Sequence, residues 1–190
     1  APIEQLLASG GDTRLALDPV SRLNGYGCRP FPRPDAFTFA SSTATSISGR
    51  AYAAAAAARQ RLLRASAQSG FERAFSEQMR ALRDQLRSLL GLEASCEIVF
   101  SPSGTDSQLH AAVLISTIFG TPLASIIAAA DETGSGTVFA ASGRHFNTTT
   151  AQGIAVAKGD RLSGVGEDID CVTVRARNEG GVPRPPGEID

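Results

Sequence analysis

A single lysine, Lys158, stands among the eighteen basic residues of this 190-residue chain; the other seventeen are arginine. Chemistry that needs a side-chain amine nucleophile therefore has one side-chain candidate. Cysteine is scarce too. Cys28, Cys96 and Cys171 are odd in number, far apart and without metal-ligand spacing. Neither a zinc site nor a disulfide framework is expected, and the three read as reduced thiols of a cytoplasmic protein. No apolar run approaches the roughly 18 residues of a membrane-crossing helix. The first residues show no basic segment followed by an apolar stretch, so no secretory leader is expected. Charge of one sign is not in excess either: the net charge is -1, which argues against a nucleic-acid partner, since that needs a basic face. The P-loop pattern Gly-x-x-x-x-Gly-Lys is missing, as is a Gly-x-Gly-x-x-Gly fingerprint after a strand.

What is present suits about one folded domain, with 42% hydrophobic and 19% charged residues. Ile3, Leu6 and Leu7 suggest a short first helix. Asn24-Gly25-Tyr26-Gly27 and the closely spaced Pro30, Pro32 and Pro34 predict an extended arm. Phe37-Thr38-Phe39 reads as a short strand, and the hydroxyl-rich stretch 40–46 as a polar loop. The alanine-rich stretch 51–67 predicts a helix. A second helix is expected over 71–90, where Phe71, Phe75, Met79, Leu82, Leu86 and Leu89 form one apolar stripe, read as core. Gly91 closes that helix from the C′ position. Beyond the break at Gly120-Thr121-Pro122, residues 123–130 and 169–176 read as strands, 137–142 as a helical segment and 143–147 as a loop. Helix alternating with strand from residue 70 onward predicts an α/β layer with a mainly parallel sheet.

The stretch from Glu97 to Leu114 organises the rest. Ile98, Val99 and Phe100 read as a strand, Ser101 to Thr105 as a turn, and the residues from Asp106 as a helix carrying Leu109, Val113 and Leu114 on one side. The turn brings Ser103, Gly104 and Thr105 to a helix start, where unsatisfied N–H donors and the positive end of the dipole attract an anion, most often a phosphate. A serine or threonine at this place can equally serve as the helix cap. Ligands of parallel sheets gather at the carboxyl ends of strands, and Asp131-Glu132-Thr133 falls at a second such end. Glu132 is suited to contacting a substrate amine or tuning a proton transfer, or to capping the turn Gly134-Ser135-Gly136. His145, in Gly-Arg-His-Phe, reads either as a plain loop residue or as a substrate contact. Lys158, in Ala-Lys-Gly-Asp-Arg, reads as an exposed turn lysine.

The order of these parts over residues 37–190 resembles the first half of a fold-type I pyridoxal-phosphate enzyme, nearest the cysteine-desulfurase and class V aminotransferase branch. Phe37 to Thr45 is similar to that family's short strand and small-residue loop at the active-site mouth. Leu86 to Phe100 is similar to its helix, glycine and strand, and Ser103-Gly104-Thr105-Asp106 to its phosphate loop. The resemblance implies a three-layer α/β sandwich with a mainly parallel sheet, the incomplete large domain of the aspartate-aminotransferase type. Residues 1–50 would be the arm and mouth loop, and 51–190 the first part of the cofactor-binding domain. It implies pyridoxal 5'-phosphate held by Ser103, Gly104, Thr105, Glu132 and Thr133, and an amino-acid substrate met by Ser42, Thr43 and His145. The reaction would be that of a transferase or lyase working through an aldimine.

At 131–133, where the family often carries a ring-stacking histidine, this chain has no aromatic or imidazole group. The Schiff-base lysine and the aspartate paired to the pyridinium nitrogen are expected after Asp190, so that residues 1–190 alone would be inactive. The remainder is then expected as a second polypeptide or a cleaved product, and complete units as homodimers. Two other readings stay open: a non-catalytic subunit that completes a partner's site, and an unrelated α/β phosphate-binding module.

Overall fold

The computed structural model describes residues 1–41, 44–165 and 168–189. They form two compact units, one of residues 1–9 and 14–100, the other of residues 10–13 and 101–190. The fold is mixed α/β, with a small parallel sheet and several helices.

The first unit is helical. Helix α1 (Ile3–Leu7) packs on α2 (Gly49–Ser69), which packs on α3 (Phe71–Leu89). Ser48 caps α2, its hydroxyl accepting from the Ala51 N–H at 3.2 Å, so the helix starts two residues earlier than the alanine run alone predicts. Gly70, at φ +83°, separates α2 from α3 in a conformation that side-chain-bearing residues resist. Gly91 ends α3 as expected. At φ +63° it lets its own N–H reach Ser88 O (3.3 Å) and lets the Leu92 N–H reach Arg87 O (2.9 Å), the paired bonds of a Schellman closure.

Three expectations for this unit fail. The stripe on α3 is not core: Ala74 is the residue α3 buries, while Phe71, Phe75, Leu82 and Leu89 are exposed. Ile98–Phe100 is also not a strand of any sheet. Its segment lies along α3, where Arg83 Nε donates to Ile98 O at 2.9 Å and Arg87 Nε to Cys96 O at 3.0 Å. Arginines four apart on a helix are spaced by about 6 Å, close to the roughly 6.6 Å between alternate carbonyls of an extended chain. The guanidinium groups thus occupy the place of a neighbouring strand. Arg83 also stands over the Phe100 ring at 5.7 Å. Phe37–Phe39 likewise forms no strand, and Phe37 and Phe39 are almost fully exposed.

The Tyr52 hydroxyl donates to the Glu4 carboxylate, and Arg59 Nε donates to Ala1 O at 2.9 Å, joining α1 to α2. The bond from Tyr52 holds Glu4 below its ordinary pKa of 4.5, and the same bond raises Tyr52 above 10.0. A lowered carboxylate contributes stability that is present above its ordinary value and lost as pH falls through the lowered one. A raised phenol contributes stability present below its ordinary value and lost as pH climbs through the raised one. Amide shifts of α1 followed by NMR are therefore expected to hold steady across the neutral range and to drift towards the undocked values at both extremes. Tyr52→Phe should abolish the alkaline limb and shrink the acid one, which the Glu4 backbone N–H and Arg59 also support; unchanged limbs would show that other groups govern the docking.

The second unit contains α4 (Gly104–Phe119), β1 (Leu123–Ala128), α5 (Ala130–Thr133), α6 (Thr137–Ala141) and β2 (Ile169–Val174). Strands β1 and β2 pair in parallel, in register from Leu123↔Ile169 to Ala128↔Val174. Each is shorter than its apolar run, because the chain turns helical at Ala130 and leaves the ladder after Val174. Residues 131–133, expected just past the end of a strand, lie there in α5. One sheet face meets α6, whose Ala140 and Ala141 are buried together with Ile169. Ser125 Oγ donates to Ala141 O at 2.8 Å on that side. The other face exposes the register partners Ile126 (72%) and Val172 (51%). Gly143 follows α6 at φ +65° and is buried against Val165 and Ile169.

Candidate functional site

The start of α4 is built as a capped helix. Ser103 is the N-cap, with extended backbone, and its Oγ accepts from the Asp106 N–H at 3.2 Å. The same hydroxyl donates to Asp106 Oδ2 at 2.6 Å. Ser103 and Asp106 therefore satisfy each other as a reciprocal cap, and the carboxylate sits at the positive end of the dipole. Ser101 Oγ lies 3.0 Å from His110 Nδ1 and ties the preceding turn to the helix.

The next two residues are left differently. The N–H groups of Gly104 and Thr105 have no partner among the described residues, and neither has the Thr105 hydroxyl. Gly104 is exposed, and a Cβ built on it would meet no atom within 4 Å. Open space with two N–H donors and a hydroxyl therefore lies at the start of a sixteen-residue helix. These donors fit the oxygens of a phosphate ester; the Ser103 hydroxyl adds to them only if it releases Asp106.

The turn after β1 is close by. A Cβ on Gly136 would meet Thr105 Cγ2 at 3.2 Å and Phe146 Cβ at 3.5 Å. Glycine at 136 is what lets the turn approach the helix start this closely. Thr105, Gly136 and Phe146 are thus brought together. Phe146 is the aromatic side chain that this approach brings beside the helix start, and its only sequence signal was its place beside His145.

The other expected site residues are placed as follows. Glu132 pairs with Arg177 (Oε1 to Nε, 2.7 Å), so its carboxylate is taken by an arginine just beyond β2. That partner neither followed from local spacing nor figured among the expected uses of Glu132. Thr133 Oγ1 donates to Ala129 O (3.2 Å) within its own turn, and Thr137 Oγ1 donates to Thr133 O (3.1 Å). His145 is half-buried and fixed by its backbone: its N–H donates to Asp160 O and its carbonyl accepts from the Gly159 N–H, both at 2.8 Å. Ser42 and Thr43 lie outside the described residues. Lys158 is exposed in a turn, its Nζ 5.1 Å from the Phe139 ring centre. Cys171 is partly buried, and burial pushes its thiol above the ordinary value.

Among the described residues no cluster of His, Cys, Asp and Glu could hold a metal ion, and no helix is long and apolar enough to cross a membrane. The fold and the site define a mixed α/β protein with a helix start packed beside a strand-end turn. Comparison with protein-family models, curated proteins and solved structures finds no match.

Proposed function

We propose that this chain is the cofactor-phosphate-binding part of a pyridoxal-phosphate enzyme acting on an amino acid. The observation that carries the reading is the pair of N–H donors at Gly104 and Thr105, without a partner among the described residues, at a helix start that is open at Gly104 and lies beside the turn that follows a parallel strand. That is where α/β proteins hold phosphate groups. The proposed architecture is a three-layer sandwich of the aspartate-aminotransferase type, of which β1, β2 and their helices would be a portion.

On this reading Gly104 and Thr105 hold the phosphate, and Gly136 keeps the strand-end turn close enough to wall the site. Thr133 orders that turn, while Phe146 offers an apolar surface. Glu132, fixed by Arg177, is a positioning residue of the turn. Bound pyridoxal phosphate would supply the electron sink for bond breaking at an amino-acid α-carbon. Lys158 is the chain's single lysine and is an exposed turn residue. The Schiff-base lysine and the pyridinium aspartate are accordingly assigned outside residues 1–190, and complete units are proposed to act as homodimers in the cytoplasm. The mutual cap of Ser103 and Asp106 favours a second reading, in which the helix start is purely structural.

Pyridoxine 5'-phosphate separates the two, because it keeps the phosphate and has no aldehyde to label amines at random. It is expected to bind at least about tenfold more tightly than pyridoxine, a difference of roughly 1.4 kcal/mol, and to be displaced by inorganic phosphate. Equal binding of the two, or none of either, would leave the structural cap.

A further inference from the structure

The N-terminal unit contains an arginine, Arg29, that has no counterion among the described residues. Arg29 Nε is buried with no hydrogen-bond partner. Its guanidinium makes no ion pair or hydrogen bond with any described residue and rests over the Phe31 ring at 5.6 Å. Its backbone is held in place, the N–H donating to Ser46 Oγ at 3.2 Å. Other half-buried arginines of the chain are used: Arg83 and Arg87 bind carbonyls of the 96–98 segment, and Arg144 binds Gly159 O.

Arg29 lines a cavity of about 200 Å³, whose walls include Asn24, Leu15, Leu17 and Ile47. Asn24 Oδ1 accepts from the N–H groups of Tyr26 (3.0 Å) and Cys28 (2.9 Å). Two donors on that oxygen settle the orientation of the amide and leave its NH₂ group without a partner among the described residues. The cavity is therefore bordered by a cation, an amide donor and branched apolar side chains. Drug-sized ligands need roughly 300–1,000 Å³, so a smaller molecule fits. A single planar cation matches a monoanion that can take two parallel hydrogen bonds, whereas a dianionic phosphate would find too few donors among these apolar walls.

We infer that this cavity binds a small aliphatic monocarboxylate, its carboxylate on Arg29 and the Asn24 amide and its short chain against Leu15, Leu17 and Ile47. The inference stands independently of the pyridoxal-phosphate reading. The test is NMR of arginine side chains in the intact, ¹⁵N-labelled chain, with 3-methylbutanoate as the probe. The Arg29 Nε–Hε signal, assigned by its disappearance in Arg29→Lys, is expected to shift saturably with the acid and to stay still with the uncharged isostere 3-methylbutanamide. Ile47→Phe narrows the cavity without touching the cation and is expected to weaken the acid by about tenfold or more. The inference is overturned if acid and amide shift the signal alike, if the acid leaves it unmoved at tens of millimolar, or if Ile47→Phe, still folded by circular dichroism, binds the acid as well as the parent chain.

Discussion

Gly143→Ala is expected to destabilise the second unit by about 2–5 kcal/mol, the sum of two separate costs. The first is conformational. Gly143 lies at φ +65°, where a Cβ crowds the following carbonyl and costs about 1–2 kcal/mol. The second is steric. The new methyl would sit 2.8 Å from Val165 Cγ1 and 3.5 Å from Ile169 Cδ1. Valine is short and stiff at χ1 and cannot swing away, and Gly143 O is itself tied to the Leu162 N–H at 3.0 Å. Overpacking of this kind adds roughly 1–3 kcal/mol. Gly153→Ala is the control, because Gly153 is at φ +81° with nothing within 4 Å of its would-be Cβ; it should show the conformational cost alone. Urea unfolding monitored by circular dichroism measures both. Equal losses would mean that the contact with Val165 does not constrain the fold.

Gly104→Asp is expected to move stability and anion binding in opposite directions. Position 104 has room for a side chain and needs no positive φ. An aspartate in the first turn of α4 should stabilise the helix by about 0.3–1 kcal/mol through the dipole. The same carboxylate would occupy the space proposed for the cofactor phosphate. Placing like charges together costs several kcal/mol, so the affinity for pyridoxine 5'-phosphate is expected to fall by about 100-fold. A variant that melts higher yet binds the phosphate ester undiminished would move the anion away from this helix. Because folding improves while binding fails, the result cannot be mistaken for damage to the protein.

The helices were legible from local spacing. Alanine content accounts for the body of α2, the glycine at 91 for the end of α3, and Ser103 with Gly120 for the two ends of α4. The strands β1 and β2 were visible as uncharged or alternating runs, and parallel pairing followed from the alternation of helix and strand. Ser103 as either cap or phosphate ligand was also legible. The bond to Asp106 answers half of that question, while the N–H groups at 104 and 105, without a partner among the described residues, keep the other half open to experiment.

The remainder lay with residues far apart in sequence. An apolar triplet such as Ile98–Phe100 has strand character by composition, but whether it joins a ladder depends on what lies beside it. Here Arg83 and Arg87 take its carbonyls first. The stripe on α3 has helical periodicity, yet periodicity states only which residues share a face and not what packs on that face; Ala74 is the one buried. Glu132 could be recognised as a carboxylate near a turn, but its partner Arg177 is forty-five positions away and on the far side of β2. Phe146 reaches Gly136 and Thr105 because glycine removes the Cβ that would hold them apart. The sequence by itself determined the longer helices and most of their ends, though not α5, since caps, propensities and positive-φ glycines act within one or two turns. The tertiary structure alone decided which strand pairs, which apolar face is covered and which charges meet, since hydrogen bonds and ion pairs between distant residues leave no periodic trace along the chain.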